Sequence, residues 1–172
     1  MNGMGRISEI LNQISNTPDC FVYPPNGFPI ISPNHLLPND LREFYMQSGG
    51  VLLFGSSSYP MVIVPPDEFL LANPLIFQKS AEELETPKVD ISWSWYIVGK
   101  EESLLQYISV DLAPERLGRC YDSFWDCHAS PGNSRIIAAT FTDLLTGLLH
   151  NKVNYWYWLQ TDFVPIGDAY QV

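Results

Sequence analysis

The chain has 172 residues, which fits one folded domain better than two, and its hydrophobic share of 46% excludes a disordered tail as the main component. Its formal net charge is −10 with only nine Lys and Arg residues, so direct binding to nucleic acids or to anionic membranes is not expected. An acidic protein suits a basic partner, although acidity can also serve solubility alone.

Three cysteines are an odd number and do not predict a disulfide framework. The first residues, MNGMGRISEILNQ, lack the apolar stretch of a secretory signal, and every apolar run is too short for a membrane helix. We therefore expect a cytoplasmic protein with reduced thiols.

Two helices are predicted in the first third of the chain. Apolar residues at helical spacing predict the first over residues 4–15. A Pro-rich stretch follows, which we expect to be an ordered arm packed on the domain by Phe21, Tyr23 and Phe28. The segment LPNDLREFYMQSGG (37–50) predicts the second helix, stopped by two glycines, one of them as a left-handed C-cap.

Strands dominate the middle of the chain. Residues 51–54 and 59–64 are short apolar runs with a hairpin-like spacing, and 93–99 and 105–112 are the strongest strand predictions. Alternation along 105–112 predicts a single buried face, with Tyr107, Ser109 and Asp111 on the other. Residues 118–125 are a further strand candidate.

A strong helix is predicted near the C-terminal end. RIIAAT (135–140) leads into FTDLLTGLLH (141–150), where Thr140 and Asp143 resemble a capping box. The aromatic tail 154–170 is expected to return as a strand or as a packed cover. Together these elements predict an α+β domain with a mostly antiparallel or mixed sheet of about five to six strands and about three to four helices.

Four stretches together resemble the SUKH superfamily, the Smi/Knr-type domain: LPNDLREFYMQSGG, the strand followed by VPPDEF, YISVDL before LGRCYDS, and ATFTDLLTGLLH. The resemblance covers about residues 5–150 of a single domain spanning 1–172, with 151–172 as an aromatic C-terminal extension. It implies a mixed sheet flanked by helices, with no cofactor and no catalytic residues. Bacterial members are regarded as immunity proteins that neutralise cognate toxins, often nucleases, of polymorphic toxin systems, whereas fungal relatives regulate cell-wall glucan synthesis.

One cluster has residue types that can bind zinc or form a nucleophile: Cys120, Asp122, Asp126, Cys127 and His128. Six residues separate Cys120 from Cys127, so the short paired spacing of a zinc site is lacking. No local signature pairs a cysteine with a histidine. A strand end followed by an irregular loop accounts for the cluster better, so we predict no metal, no cofactor and no catalytic residue.

Paired carboxylates are the remaining enzymatic option. The glutamate pairs lie in polar segments, where solvated loops are the usual explanation, and glycoside hydrolysis needs two carboxyl groups across a sugar cleft. Because tryptophan rings can stack on sugars, noncatalytic glycan binding remains a weaker alternative.

The middle of the chain concentrates the charge, because residues 67–126 hold twelve acids and five bases. This segment either contacts a basic partner or forms only solvated loops. The rings of the aromatic tail either contact a partner or pack only in the core. The residues that we predict to contact a partner are Glu82, Glu83, Glu85, Asp90, Glu101, Glu102, Trp93, Trp95, Tyr155, Trp156, Tyr157 and Trp158.

We accordingly predict a non-enzymatic protein-binding module, an immunity protein that neutralises a basic toxin domain such as a nuclease. A regulatory interaction protein of the cell-wall-regulator type is the alternative.

Overall fold

In the computed structural model, which describes residues 4–151 and 154–171, one sheet of seven strands runs through the molecule. All neighbouring strands are antiparallel and follow each other in chain order. The strands are β1 (Phe21–Val22), β2 (Val51–Leu53), β3 (Met61–Ile63), β4 (Trp95–Glu101), β5 (Gln106–Asp111), β6 (Cys120–Asp122) and β7 (Ile136–Ala138).

Four α-helices accompany the sheet within the described residues, so the predicted α+β class is confirmed. They are α1 (Met4–Ser15), α2 (Asn39–Gln47), α3 (Ala72–Phe77) and α4 (Phe141–Asn151). The predicted count of five to six strands is too low. Two residues are too few to give β1 a periodic signal, and β7 was assigned only as a lead into the last helix.

Helices α1, α2 and α4 contact one another and cover one face of the sheet. The rings of Phe44 in α2 and Phe141 in α4 lie 5.0 Å apart. Tyr45 contacts Phe69, which stacks on Tyr96 of β4 at 5.4 Å. Aromatic contacts therefore join the helices to the central strand.

The opposite face of the sheet is also buried, which corrects the prediction of a single buried face. Ser109 and Asp111 are completely buried. The loop after β6 and the C-terminal tail cover them, with His128 and Tyr170 both packed edge-on against Trp95 of β4. Polar residues on this face pair with one another, so alternation in the sequence did not mark a solvent-exposed side.

The Pro-rich arm is ordered, but not by the three rings that we predicted. Phe21, Tyr23 and Phe28 are each about half exposed. The arm is held instead by the pairing of β1 with β2 and by backbone hydrogen bonds, in which Tyr23 accepts from the Gly49 N–H at 2.9 Å and donates to the Gly50 carbonyl at 3.0 Å.

The two glycines after α2 allow close backbone packing and do not cap the helix. Helix α2 is followed by Ser48 in an extended conformation. A Cβ at Gly49 would collide with the Pro24 carbonyl, and one at Gly50, which has φ +113°, would lie 2.6 Å from the Ile63 carbonyl. The predicted left-handed C-cap is therefore wrong, because the glycines let the arm and β3 approach β2.

The aromatic tail forms a packed cover and not a strand. Its Tyr157–Leu159 segment is a single 3₁₀ turn, and Trp158 is completely buried. Ile136 of β7 exchanges backbone hydrogen bonds with Gly167 and Ile166, so the tail covers the outer edge of the last strand. No helix in residues 4–151 or 154–171 has the length and apolar character needed to span a membrane.

Candidate functional site

An open groove of about 600 Å³ lies where β4 turns into β5 and the C-terminal tail crosses the sheet. We call it the aromatic groove. Its apolar walls and its polar residues come from five separate parts of the chain. The walls contain Tyr59, Leu104, Phe124, Trp156 and Leu159, and the polar residues are Gln106, Asp122 and Arg135.

The turn between β4 and β5 builds one wall. Glu101 caps the 3₁₀ turn Glu102–Leu104, because its carboxylate accepts the Leu104 N–H and the Ser103 hydroxyl, each at 2.7 Å. Leu105 follows with a left-handed φ of +53°. The sharp turn leaves Leu104 and Leu105 respectively 45% and 41% exposed.

The loop after β6 extends this wall. Ser123 and Trp125 donate backbone hydrogen bonds to the carbonyls of Tyr107 and Leu105, so the loop runs beside the start of β5. The Trp125 ring is half exposed. The backbone of Trp125 lies next to Leu105, and its ring lies 6.1 Å from that of Phe124 in the groove wall.

Tyrosine rings form the facing wall. Tyr59 lies 4.7 Å from the ring of Tyr155 and 5.1 Å from that of Trp156. Tyr155 is 58% exposed, whereas only 4% of Trp156 is. The Trp156 Nε1–H has no hydrogen-bond partner within the described part of the chain.

The charges that line the groove are paired. Asp122 accepts from Gln106 Nε2 at 2.8 Å and from Arg135 Nη2 at 2.9 Å. Arg135 also donates to the Trp158 carbonyl at 3.1 Å. These bonds tie β5, β6 and the tail together, and they use both oxygens of the Asp122 carboxylate.

The structure divides the predicted acidic residues between opposite ends of β4. Glu101 and Glu102 lie at the groove end, where Lys100 bonds to Glu102 at 2.7 Å and to Glu68 at 2.6 Å. The segment 82–90, which we call the acidic loop, precedes the other end. A strand of seven residues separates the two groups by about 20 Å.

The acidic loop is fastened to its surroundings. Trp93 donates from Nε1 to the Pro87 carbonyl at 3.0 Å, and the Lys88 ammonium lies 3.7 Å from the centre of the Trp93 ring. Asp90 accepts from Ser92 and from the Tyr170 hydroxyl. Glu82, Glu83 and Glu85 are exposed.

Four of the predicted aromatic contacts lie mainly inside the protein. Trp95 and Trp158 are completely buried, and Trp156 is nearly so. The partly buried Tyr157 donates its hydroxyl proton to the Ile137 carbonyl at 2.7 Å. The turn at 157–159 stacks the two tail tryptophans on each other, so the tail does not place alternate rings on two faces. Tyr155 is the ring of the tail that reaches the surface most.

The cluster around His128 is a buried hydrogen-bond network. His128 donates from Nε2 to the Asn73 amide oxygen at 2.8 Å, and its Nδ1 accepts from the Ser123 hydroxyl at 3.0 Å. Burial lowers the pKa of His128 to about 3 and raises the pKa of Cys127 to about 12. Neither group is poised to exchange protons near neutral pH.

No group of three or more His, Cys, Asp or Glu side chains with the geometry to hold a metal ion occurs in residues 4–151 and 154–171. Cys120, Cys127 and His128 do not form a zinc site within this part of the chain. Each of the three makes a hydrogen bond to a different group.

The residues that complete the aromatic groove carry no pattern that marks them in the sequence. Tyr59, Leu104, Leu105 and Trp125 lie in turns and loops whose partners are distant in the chain. The available signals in the sequence were the Leu-Leu pair after Glu-Glu-Ser and the tryptophan beside Asp126.

No family model and no solved structure matches the chain. A curated protein does: the chain is 46% identical over 167 residues to "Immunity protein YokJ" of Bacillus subtilis (strain 168), an alignment that covers 95% of each protein. Identity at this level over nearly the whole length implies a shared fold and ancestry. The chain belongs to the family of immunity proteins that includes YokJ.

Proposed function

We propose that this immunity protein neutralises a cognate protein toxin by binding it, without catalysing a reaction. The observation that carries the proposal is the 46% identity to a named immunity protein over 95% of both chains. The surface supports it, because apolar and aromatic side chains are exposed together beside acidic groups, as is typical of protein-binding sites.

We further propose the finer features of this function. The domain is a single SUKH-like unit over 1–172 that works in the cytoplasm, and its toxin is a basic domain, such as a nuclease, of a polymorphic toxin system. The net charge of −10 supports a basic partner. From the residues that the sequence singled out, those with exposed side chains remain as proposed contacts: Glu82, Glu83, Glu85, Glu102 and Tyr155, with the partly exposed Asp90, Trp93 and Glu101.

A co-expression experiment tests the proposal. Cells that express the protein encoded immediately upstream of this chain should stop growing, and co-expression of the chain should restore growth. The two purified proteins should form a stable complex in size-exclusion chromatography and calorimetry. Absence of both a complex and growth rescue would contradict the proposed function.

Stoichiometry separates binding from catalysis. A binding inhibitor protects only when it is at least equimolar with the toxin, whereas an enzyme protects at small fractions. The toxin should also keep its mass and regain activity after denaturant has removed the chain. A permanently inactivated or chemically altered toxin would argue for catalysis.

A further inference from the structure

We propose that the aromatic groove is the toxin-contact site and that it receives a toxin segment carrying Lys or Arg side chains. This inference rests on the proposed function and specifies where and how the toxin is bound.

Exposed apolar surface is concentrated at and beside the groove. Leu104, Leu105, Trp125, Tyr155 and Leu159 are between 41% and 58% exposed, and all of them line the groove or adjoin residues that line it. Exposed apolar groups that are adjacent in space indicate an interaction site, whereas isolated ones do not.

Charge complementarity favours a cationic segment. Glu101 and Glu102 come just before the exposed leucines on the β4–β5 turn, and Asp126 follows Trp125, whose backbone N–H donates to the Leu105 carbonyl. The nearby cations, Lys100 and Arg135, are paired with carboxylates of Glu68, Glu102 and Asp122. These five acids and two bases leave the end of the sheet beside the groove with excess negative charge, which suits a cationic segment.

Lys and Arg side chains match both properties of this surface. Their aliphatic stems can lie along Leu104 and Leu105 while the charged head reaches a carboxylate. A cation can also lie over the exposed rings of Trp125 and Tyr155. Because the acidic loop is about 20 Å away along β4, one short segment does not contact both groups.

Matched variants test the site. The purified protein encoded immediately upstream is the probe, and its dissociation constant is measured by calorimetry. We expect Trp125→Ala to weaken binding by about 30-fold, as for an exposed aromatic anchor beside the groove. The double variant Glu102→Gln/Asp126→Asn should weaken it by about 5-fold.

The control is the double variant Glu9→Gln/Asp143→Asn at exposed positions of helices α1 and α4, which changes the net charge by the same amount. It should alter the dissociation constant by less than about 2-fold. A thermal unfolding midpoint within a few degrees of the wild type would show that a variant keeps the fold. Tyr155→Ala serves as a second aromatic variant if Trp125→Ala is unstable.

Several outcomes would overturn the inference. If the wild type binds the toxin and the folded Trp125→Ala and Tyr155→Ala variants bind equally well, the groove is not the site. Equal weakening by the two double variants would show that only total charge matters. A wild-type dimer that Trp125→Ala dissociates, with toxin binding unchanged, would assign the groove to a second copy of the chain. If the wild type does not bind at all, the proposed function itself fails.

Discussion

Asp111 is a completely buried carboxylate at the end of β5. Five donors reach its two oxygens at 2.6–3.1 Å: the Ser94 hydroxyl, the Trp95 indole, the Ala113 N–H, the Arg116 guanidinium and the Tyr121 hydroxyl. A buried charge with one ion pair and four further hydrogen bonds is compensated in full. Asp111 thereby fixes the end of the β4–β5–β6 region where β4 begins and β5 ends, on the face opposite the helices.

We predict that Asp111→Asn lowers the free energy of unfolding by about 3 kcal/mol, because the amide loses the ion pair and turns its NH₂ toward groups that also donate. Urea unfolding measures the change. Glu115→Gln is the matched control, since Glu115 contacts the same Arg116 at the solvent-exposed surface. It should leave the urea midpoint unchanged, and a similar loss in both variants would contradict the role of burial.

His128 is buried as a neutral imidazole, and burial is the main reason that its pKa falls to about 3. The unfolded chain binds a proton near pH 6.5, whereas the folded chain does not until about pH 3. Between these values the unfolded state holds more protons, so the stability contributed by this residue is complete above pH 6.5 and decreases as the pH falls.

We therefore expect the free energy of unfolding to decrease by about 2 kcal/mol from pH 7 to pH 5 because of His128. Urea unfolding at the two pH values measures it. The variant His128→Gln, which has no titrating ring, should show a clearly smaller difference. An equal pH dependence in the variant and the wild type would show that other groups cause the loss.

At the scale of secondary-structure elements, α4 and the C-terminal tail depend on each other. Gly147 lies inside α4, and a Cβ there would lie 2.5 Å from the Tyr157 ring. Tyr157 is itself held by its hydrogen bond to Ile137 in β7. The glycine is thus required for the tail to pack against the helix.

We predict that Gly147→Ala destabilises the protein by about 1–2 kcal/mol, although alanine is the better helix former, because the Tyr157 ring has to move. Thermal or urea unfolding measures the change. Gly5→Ala in α1 is the control: a Cβ there meets nothing within 4 Å, so helix propensity alone should raise stability slightly. Stabilisation by both substitutions would contradict the packing argument.

The sequence predicted elements whose pattern is local. The apolar periodicity of α1, α2 and α4 and the long runs of β4 and β5 appear within single stretches of chain, and these elements form as predicted. The sequence did not predict β1, and for the tail it left a strand and a packed cover as alternatives, since both segments are fixed by contacts with residues far away in the chain. The candidate groove was missed for the same reason: Tyr59, Leu104 and Trp125 meet only after folding.

At the scale of the whole molecule, the negative charge is spread over both ends of the sheet. The acidic loop lies at one end of β4 and Glu101 and Glu102 lie at the other. A net charge of −10 produces a field that extends beyond any single contact. The acidic loop contributes to this field even where it does not contact the partner.

If the toxin is basic, the association rate constant should fall about tenfold between about 50 mM and about 500 mM NaCl, while the dissociation rate constant changes much less. Stopped-flow fluorescence with the purified toxin measures both. Association that is independent of salt would contradict electrostatic steering.

Because the strands of the sheet lie in chain order, each strand meets a neighbour that has already been synthesised. The sheet can therefore grow on the ribosome strand by strand from β2 onward. The aromatic groove cannot be completed in this way, since Tyr59 precedes β3 while Tyr155, Trp156 and Leu159 come from the tail. A nascent chain consequently acquires this surface only after residues 155–159 have emerged, when the sheet beneath it is already built.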